Sequence, residues 1–485
     1  MAELVVASNR GPVQFEIDDE GTLTCGRGAG GMVAALGPAL AGQGGTWAAA
    51  AITEGDRVAA RQVARSGRVR QVQLPQGPIR LRSLVIDPRQ YQNYYNRVSN
   101  RTLWFLQHYL FDAPRHPRFD QGFRTAWRDY REVNQAFAAA CDSEASQGAQ
   151  VFVQDYHLAL TPALLRARRP ELHIAHFTHC PWADPGYFTM LPSTTAYEFV
   201  EGMLGADLIG FLVPRWARNF LRCCEELGFE VNRRAQTVRA PDGRDARVRA
   251  YPLGVDDGDL RARVAEPDVQ AQRRSLRDLA RGRSLIVRVD RMELSKNILR
   301  GLDGYTMLLE QNPRLRGRVV HFALAYASRR DLPEYQAYTA EVRHAVDAIN
   351  ERFRTRSWEP VRLELRDNYP RALAAMAEAD VLLVNPVWDG MNLVAKEGMA
   401  VSERDAVLVL SRNAGAADDL AEGALLVNPF DTAELAASLA SAVTMPAADR
   451  AKRAALLRTQ ASALPPQDWF AAQRNDLERM GRTRS

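Results

Sequence analysis

Cysteine is scarce in this chain of 485 residues: Cys25, Cys141, Cys180, Cys223 and Cys224, an odd number with no CxxC spacing. A disulfide framework and a cysteine zinc site are excluded, and free thiols in a reducing compartment are expected. Long apolar runs are missing too, since no stretch reaches the roughly 18 residues that a bilayer crossing needs. The N-terminal Met-Ala-Glu-Leu-Val-Val-Ala-Ser has no basic flank before its short apolar run, so it reads as a strand and not as a signal peptide. Charge of one sign is not in large excess: 63 basic against 58 acidic residues give +5, and no nucleic-acid partner is called for. Repeats of 20–50 residues and low-complexity tracts are absent. What remains is an ordinary globular composition, 46% hydrophobic and 25% charged, long enough for two to three domains at about 150 residues each. A cytoplasmic location is expected.

Short apolar runs alternate with longer stretches of helical period, which is the pattern of parallel sheets with crossover helices, so the fold class is α/β. Strands are expected at 4–7, 151–153, 174–177 and 208–211, then at 285–289, 319–324, 381–384, 407–410 and 425–427. After 208–211, Leu212, Trp216, Phe220, Cys224 and Leu227 recur on one helical face, which makes the adjacent cysteines core filling. Residues 251–256 supply turn chemistry, so the boundary is placed there: 1–252, 253–464, and a terminal helix over 465–485.

Six places could carry chemistry. Ser8-Asn9-Arg10-Gly11-Pro12 follows the first strand, where α/β sheets bind ligands; Arg10 is either an anion contact or a surface arginine paired with an acid. Gly26, Gly28 and Gly31 spell GxGxxG, but only residues 22–25 precede them as a strand, so the dinucleotide fingerprint lacks its context. A glycine lid over a sugar phosphate and a plain hairpin remain. Asp155-Tyr156-His157 and His179-Cys180-Pro181-Trp182 end two middle strands with a titratable group beside an aromatic ring, as a sugar site requires. His173, His176 and His179 step by three along a strand and cannot converge on one metal ion. Arg291 and Lys296 stand five residues apart at a strand-to-helix turn, suited to a diphosphate leaving group. Asp389 and Glu397 flank the start of a further helix in WDGMNLVAKE, one placed for sugar hydroxyls and the other for a ribose.

Together the blocks VVASNRGPV, GAGGMVAALGPAL, YYNRVSNRTLW, VQDYHLALTPALLR, HFTHCPW, RMELSK, VWDGMNLVAKE, LSRNAGAA and LLVNPFD run over nearly the whole chain. In that order they resemble the trehalose-6-phosphate synthase family of retaining glycosyltransferases. The resemblance implies two Rossmann-like domains facing across a cleft, the GT-B type, with the C-terminal helix crossing back to the first. It also implies transfer of glucose from UDP- or GDP-glucose to glucose 6-phosphate, with no cofactor and no metal, no membrane partner, and a homo-oligomer allowed. Carried over by position, Arg10, Tyr95 and Arg329 would hold the acceptor phosphate, Asp155 the acceptor hydroxyls, and Trp47 and Trp104 would line the acceptor side. Gly30 and Gly31 would lie near the donor, Arg291 and Lys296 on its diphosphate, and His179 and Asp389 on its sugar. Tyr369 would sit near the base, Gly390, Met391, Asn392, Leu393 and Val394 along the nucleotide, and Glu397 on the ribose. His179, Arg291, Lys296 and Asp389 form the implied catalytic set. At the phosphate loop the family's usual RLDYSKG stands here as Arg291-Met292-Glu293-Leu294-Ser295-Lys296-Asn297. The alternatives are a related transferase or pseudo-glycosyltransferase acting on glycerol 3-phosphate or a cyclitol phosphate, and a catalytically silent sugar-phosphate sensor.

Overall fold

The computed structural model describes residues 1–18, 20–27, 31–66, 69–74, 77–329 and 332–482. The chain forms two units: Met1–Pro252 together with the residues from Pro466 onward, and Leu253–Pro465. The first contains β1 (Ala2–Ser8), β2 (Val13–Ile17), β3 (Leu23–Arg27), β4 (Thr46–Ala50), β5 (Arg70–Leu74) and β6 (Gly77–Leu84). It continues with β7 (Ala145–Gln154), β8 (His173–Thr178), β9 (Leu208–Phe211), β10 (Val231–Asn232), β11 (Thr237–Arg239) and β12 (Asp245–Ala250). The second contains β13 (Ser284–Met292), β14 (Val319–Ala327), β15 (Val361–Glu364), β16 (Val381–Val384), β17 (Val407–Ser411) and β18 (Leu425–Val427).

The first unit's main sheet runs β10-β11-β12-β9-β8-β7-β1-β4-β6-β5, and the second's runs β15-β14-β13-β16-β17-β18. From β12 to β6, and throughout the second sheet, neighbours are parallel. Central strands such as β9, β16 and β17 are buried along their whole length, the mark of sheets covered on both faces. Numbered along the chain, β6-β4-β1-β7-β8-β9 and β15-β14-β13-β16-β17-β18 both have the order 3-2-1-4-5-6. That is the doubly wound Rossmann order, and its direction of winding reverses between β1 and β7 in one unit and between β13 and β16 in the other. Ligands of such sheets bind at the carboxyl ends of those strands.

The helix Pro466–Arg482 belongs to the first unit. Its buried Trp469 packs edge-on against Phe177 and donates its indole N–H to the Tyr251 carbonyl at 3.1 Å, while Phe470 meets Phe152. In the helix Pro214–Glu226, Trp216, Phe220 and both cysteines are buried as expected. Among the described residues no helix is long and apolar enough to cross a membrane.

A buried imidazole in the second sheet has a consequence for stability. Among the described residues neither ring nitrogen of His321, on β14, has a hydrogen-bond partner, and burial with the nearby Arg288 charge pulls its pKa from 6.5 to about 3. The folded value lies below the unfolded one, so the neutral ring's contribution is complete above 6.5 and is lost as pH falls toward about 3. His321→Phe is therefore expected to narrow the gap between the apparent Tm at pH 7 and at pH 5, measured by thermal unfolding of both proteins.

Candidate functional site

In the first unit, Ser8 closes β1 and fixes the loop that follows. Its hydroxyl accepts the Trp47 indole N–H at 2.8 Å and donates to the Arg10 carbonyl at 2.6 Å. The exposed Arg10 guanidinium donates to the Tyr95 hydroxyl at 3.3 Å. Tyr95 lies on a π-helical segment, Gln92–Leu103, in which the Ser99 and Thr102 hydroxyls bond carbonyls five residues back. Such segments are uncommon and concentrate at functional sites. The Tyr95 ring stacks on His157 (centroids 5.7 Å), and His157 stacks on Tyr156 (4.1 Å), which lies 6.1 Å from Trp104.

Asp155, just beyond β7, has φ +70°, a conformation that costs a non-glycine residue roughly 1–3 kcal/mol and is retained where geometry matters. One carboxylate oxygen accepts the His179 backbone N–H at 3.2 Å, and the other lies 3.8 Å from His157 Nδ1. The His179 ring faces Gln154 Oε1 at 2.9 Å, and burial pulls its pKa down to about 4, leaving it neutral at pH 7. Arg10, Tyr95, Trp104, Asp155 and His179 thus form one connected cluster at the β1/β7 switch point. Trp47 is 0% exposed, and its indole holds Ser8.

In the second unit the two motifs end β13 and β16, the strands that flank the switch point. Lys296 Nζ reaches Asp389 Oδ2 at 2.6 Å, and the Asn392 amide donates to the same oxygen at 3.2 Å. Burial alone would lower the Lys296 pKa; Asp389, Asp290 and Glu293 outweigh it, so the ammonium is held above its usual value and stays charged. Arg291 pairs with Glu293 at 2.8 Å, and Arg329, in the left-handed region at φ +44°, pairs with the same carboxylate at 2.7 Å. Asn392, at φ +71°, caps the helix Leu393–Val401 by accepting the Ala395 N–H. The free N–H groups and dipole of that first turn favour an anion or a polar acceptor. Gly390 and Met391 are buried beneath the loop, and Leu393, Val394 and Glu397 are half-buried; burial pushes the Glu397 carboxyl up.

Tyr369 opens the helix Tyr369–Ala377, 49% exposed and close to Arg263. Gly31 opens the helix Gly31–Gln43, whereas Gly28 and Gly30 lie outside the described residues. The strand before these glycines is half of the antiparallel pair β2–β3, outside the parallel sheet, so the context of a dinucleotide fingerprint is indeed lacking. Among the described residues no group of three or more His, Cys, Asp or Glu side chains could hold a metal ion.

Three contributors were not singled out from sequence. Gln154 faces His179, Glu293 carries both arginines, and the segment after β17 clasps the Asp389 loop. In that clasp the Asn413 amide donates to the Val387 carbonyl at 2.9 Å, Gly415 N–H to the Asp389 carbonyl at 3.0 Å, and Ala416 N–H to the Met391 carbonyl at 2.7 Å. The LSRNAGAA block marked the segment without giving it a task.

Residues 2–479 match the sequence profile of glycosyltransferase family 20. A trehalose-6-phosphate synthase of Mycobacterium tuberculosis is 36% identical over 441 residues, covering 89% of this chain and 85% of that protein. The E. coli trehalose-6-phosphate synthase solved with UDP-2-fluoro glucose superposes with a TM-score of 0.85 at 28% identity, covering 98% of each chain. A UDP-forming α,α-trehalose-phosphate synthase from Burkholderia xenovorans, in complex with glucose-6-phosphate, gives 0.83 at 27% identity over 98% of this chain and 99% of that one. With two doubly wound sheets, cations and a carboxylate meeting at a switch point, and a profile match from end to end, this chain belongs to glycosyltransferase family 20 and is a glycosyltransferase.

Proposed function

We propose that the enzyme transfers glucose from UDP-glucose to glucose 6-phosphate, forming α,α-trehalose 6-phosphate and releasing UDP. The observation that carries this reading is the meeting of Lys296 and Asp389 at 2.6 Å, beside Arg291, at the β13/β16 switch point. A nucleotide diphosphate sugar needs there a cation for the departing phosphoryl oxygens and a carboxylate for the sugar hydroxyls. The choice of uracil and of glucose 6-phosphate follows the relatives solved with those ligands. Free, mostly buried thiols suit a cytoplasmic enzyme.

In this mechanism the bond from the anomeric carbon to the diphosphate breaks and the pair of electrons leaves with the phosphoryl oxygen. Arg291 and Lys296 stabilise the charge that develops there. The anomeric hydroxyl of glucose 6-phosphate forms the new bond on the same face, and its proton passes to the departing phosphoryl oxygen. Asp389, already ion-paired with Lys296, is an acceptor for donor hydroxyls and need not attack carbon. His179, neutral at pH 7, can hydrogen-bond the donor sugar without adding charge. The family resemblance supports acceptor-phosphate roles for Arg10 and Tyr95 in the first unit and for Arg329 in the second, and a ribose role for Glu397.

The deciding experiment incubates the enzyme with glucose 6-phosphate and each of UDP-, GDP- and ADP-glucose, and identifies the product by mass before and after phosphatase treatment. Fastest conversion with UDP-glucose to a phosphorylated, non-reducing disaccharide is expected. Release of nucleotide diphosphate that is indifferent to glucose 6-phosphate would overturn the acceptor. Arg10→Ala is expected to raise KM for glucose 6-phosphate about tenfold or more with a smaller change in kcat, since a hydrogen bond to a charged group is worth about 1.5–3 kcal/mol. Steady-state kinetics with the acceptor varied checks it.

A further inference from the structure

Glu293 takes no part in the chemistry above, yet it is a 0% exposed carboxylate in the middle of the phosphate loop. Its Oε1 lies 2.8 Å from Arg291 Nη1 and 2.7 Å from Arg329 Nη1 in two ion pairs, and it accepts the Ser328 hydroxyl at 2.9 Å. Its main chain is tied to the same loop: its N–H donates to the Arg291 carbonyl at 2.8 Å and its carbonyl accepts the Lys296 N–H at 3.0 Å. Register explains the meeting. Met292 at the end of β13 lies beside Ala327 at the end of β14, so the residues that follow each strand emerge side by side.

The electrostatics make the three side chains interdependent. A buried carboxylate without cations would be heavily penalised, and two adjacent guanidiniums without an anion would repel. Burial would push the Glu293 carboxyl up; Arg291, Arg329, Lys296 and the Ser328 hydroxyl outweigh it and bring the pKa to about 2, so it stays ionised throughout the working range. Arg291 is 39% exposed and Arg329 9%, so the shared oxygen meets one guanidinium that is open to solvent and one that is buried.

We propose that Glu293 is a positioning residue that locks Arg291 and Arg329 to one another, so that the arginine gripping the donor diphosphate and the arginine gripping the acceptor phosphate share one geometry. This rests on the roles given to the two arginines in the proposed function. It makes a specific demand: loss of one carboxylate must weaken the handling of both substrates, and the effect on the acceptor must run through Arg329.

The test is steady-state kinetics of wild type, Glu293→Gln, Arg329→Ala and the double variant, with each substrate varied in turn and thermal unfolding as the check on folding. Glu293→Gln is expected to raise KM for donor and acceptor by about tenfold or more each. In the Arg329→Ala background the same change is expected to raise only the donor KM. A folded Glu293→Gln enzyme with both KM values within about twofold of wild type overturns the proposal, as does an undiminished acceptor effect without Arg329. Should Glu293→Gln not fold, Glu293→Asp, which keeps the charge but withdraws it by about 1.5 Å, is expected to give smaller rises in the same two constants, and no rise in either overturns the proposal. Calorimetric binding of UDP and glucose 6-phosphate separates this from the reading it rests on. If wild type binds both without transfer, the reaction is wrong and Glu293 is judged on the two Kd values; if it binds neither, both fall together.

Discussion

Arg291→Ala and Lys296→Ala are each expected to lower kcat by about two orders of magnitude or more at saturating substrate, because removing one preorganised donor from developing charge costs about 2.7–4 kcal/mol. The structure sharpens the difference between them. Arg291 is anchored by Glu293 and partly exposed, so its loss removes one grip and leaves Glu293 with Arg329. Lys296 is the ion-pair partner of Asp389, and the Asn392 amide shares that carboxylate. Lys296→Ala therefore leaves a half-buried carboxylate facing the diphosphate's own negative charge, and the larger drop belongs to it. Stopped assays of nucleotide diphosphate release measure both, and near-wild-type turnover in either variant removes that residue from the leaving-group site.

Gly415→Ala is expected to cost a comparable amount without altering any group that touches substrate. A Cβ on Gly415 would overlap the Gly390 carbonyl and lie 2.9 Å from the Met391 Cα, contacts that only a shift of the Asp389 loop can relieve. That shift would break the Gly415 and Ala416 hydrogen bonds and carry Asp389 and Asn392 with it. Misplacement by about 1 Å can cost a hundredfold in rate. A fall of about that size in kcat/KM for the donor, with the KM for glucose 6-phosphate nearly unchanged, is the outcome to look for by varying each substrate; equal activity would show that the clasp yields freely.

The sequence was most legible where both faces of a strand are buried. Residues 208–211 and 381–384 are β9 and β16 without a change of boundary, because a continuous apolar run admits little else between turn signals. β4, Thr-Trp-Ala-Ala-Ala, went unrecognised because its alanines carry no β preference; its place comes from pairing with β1 and β6. The arginine-rich 237–249 has no apolar strand run yet contributes β11 and β12, because their antiparallel pairing toward the sheet edge lets polar residues face water. Residues 257–280, rich in charge and sparse in apolar side chains, form the helices Asp257–Ala265 and Pro267–Ala280, the first capped by the Asp256 carboxylate.

At the site, motifs identified the cations and carboxylates, since chemistry restricts residue type. Their partners were invisible because a partner's distance in sequence is arbitrary: Lys296 and Asp389 are 93 residues apart, and Arg10 and Tyr95 are 85. An aromatic ring near a loop suits either a wall or a buttress, and the buried Trp47, bonded to Ser8, buttresses the loop.

Because Trp469 and Phe470 complete the core beside β7 and β8, the polypeptide leaves its first sheet at Pro252, builds a whole second unit, and only then returns. On the ribosome, which delivers roughly 5–20 residues per second, the earlier-made lobe waits through more than two hundred further residues for its last aromatic pair, while the inserted lobe can finish first. Nascent chains halted before residue 466 would then be expected to expose an unfinished hydrophobic face on the older lobe, and to be the species that chaperones capture.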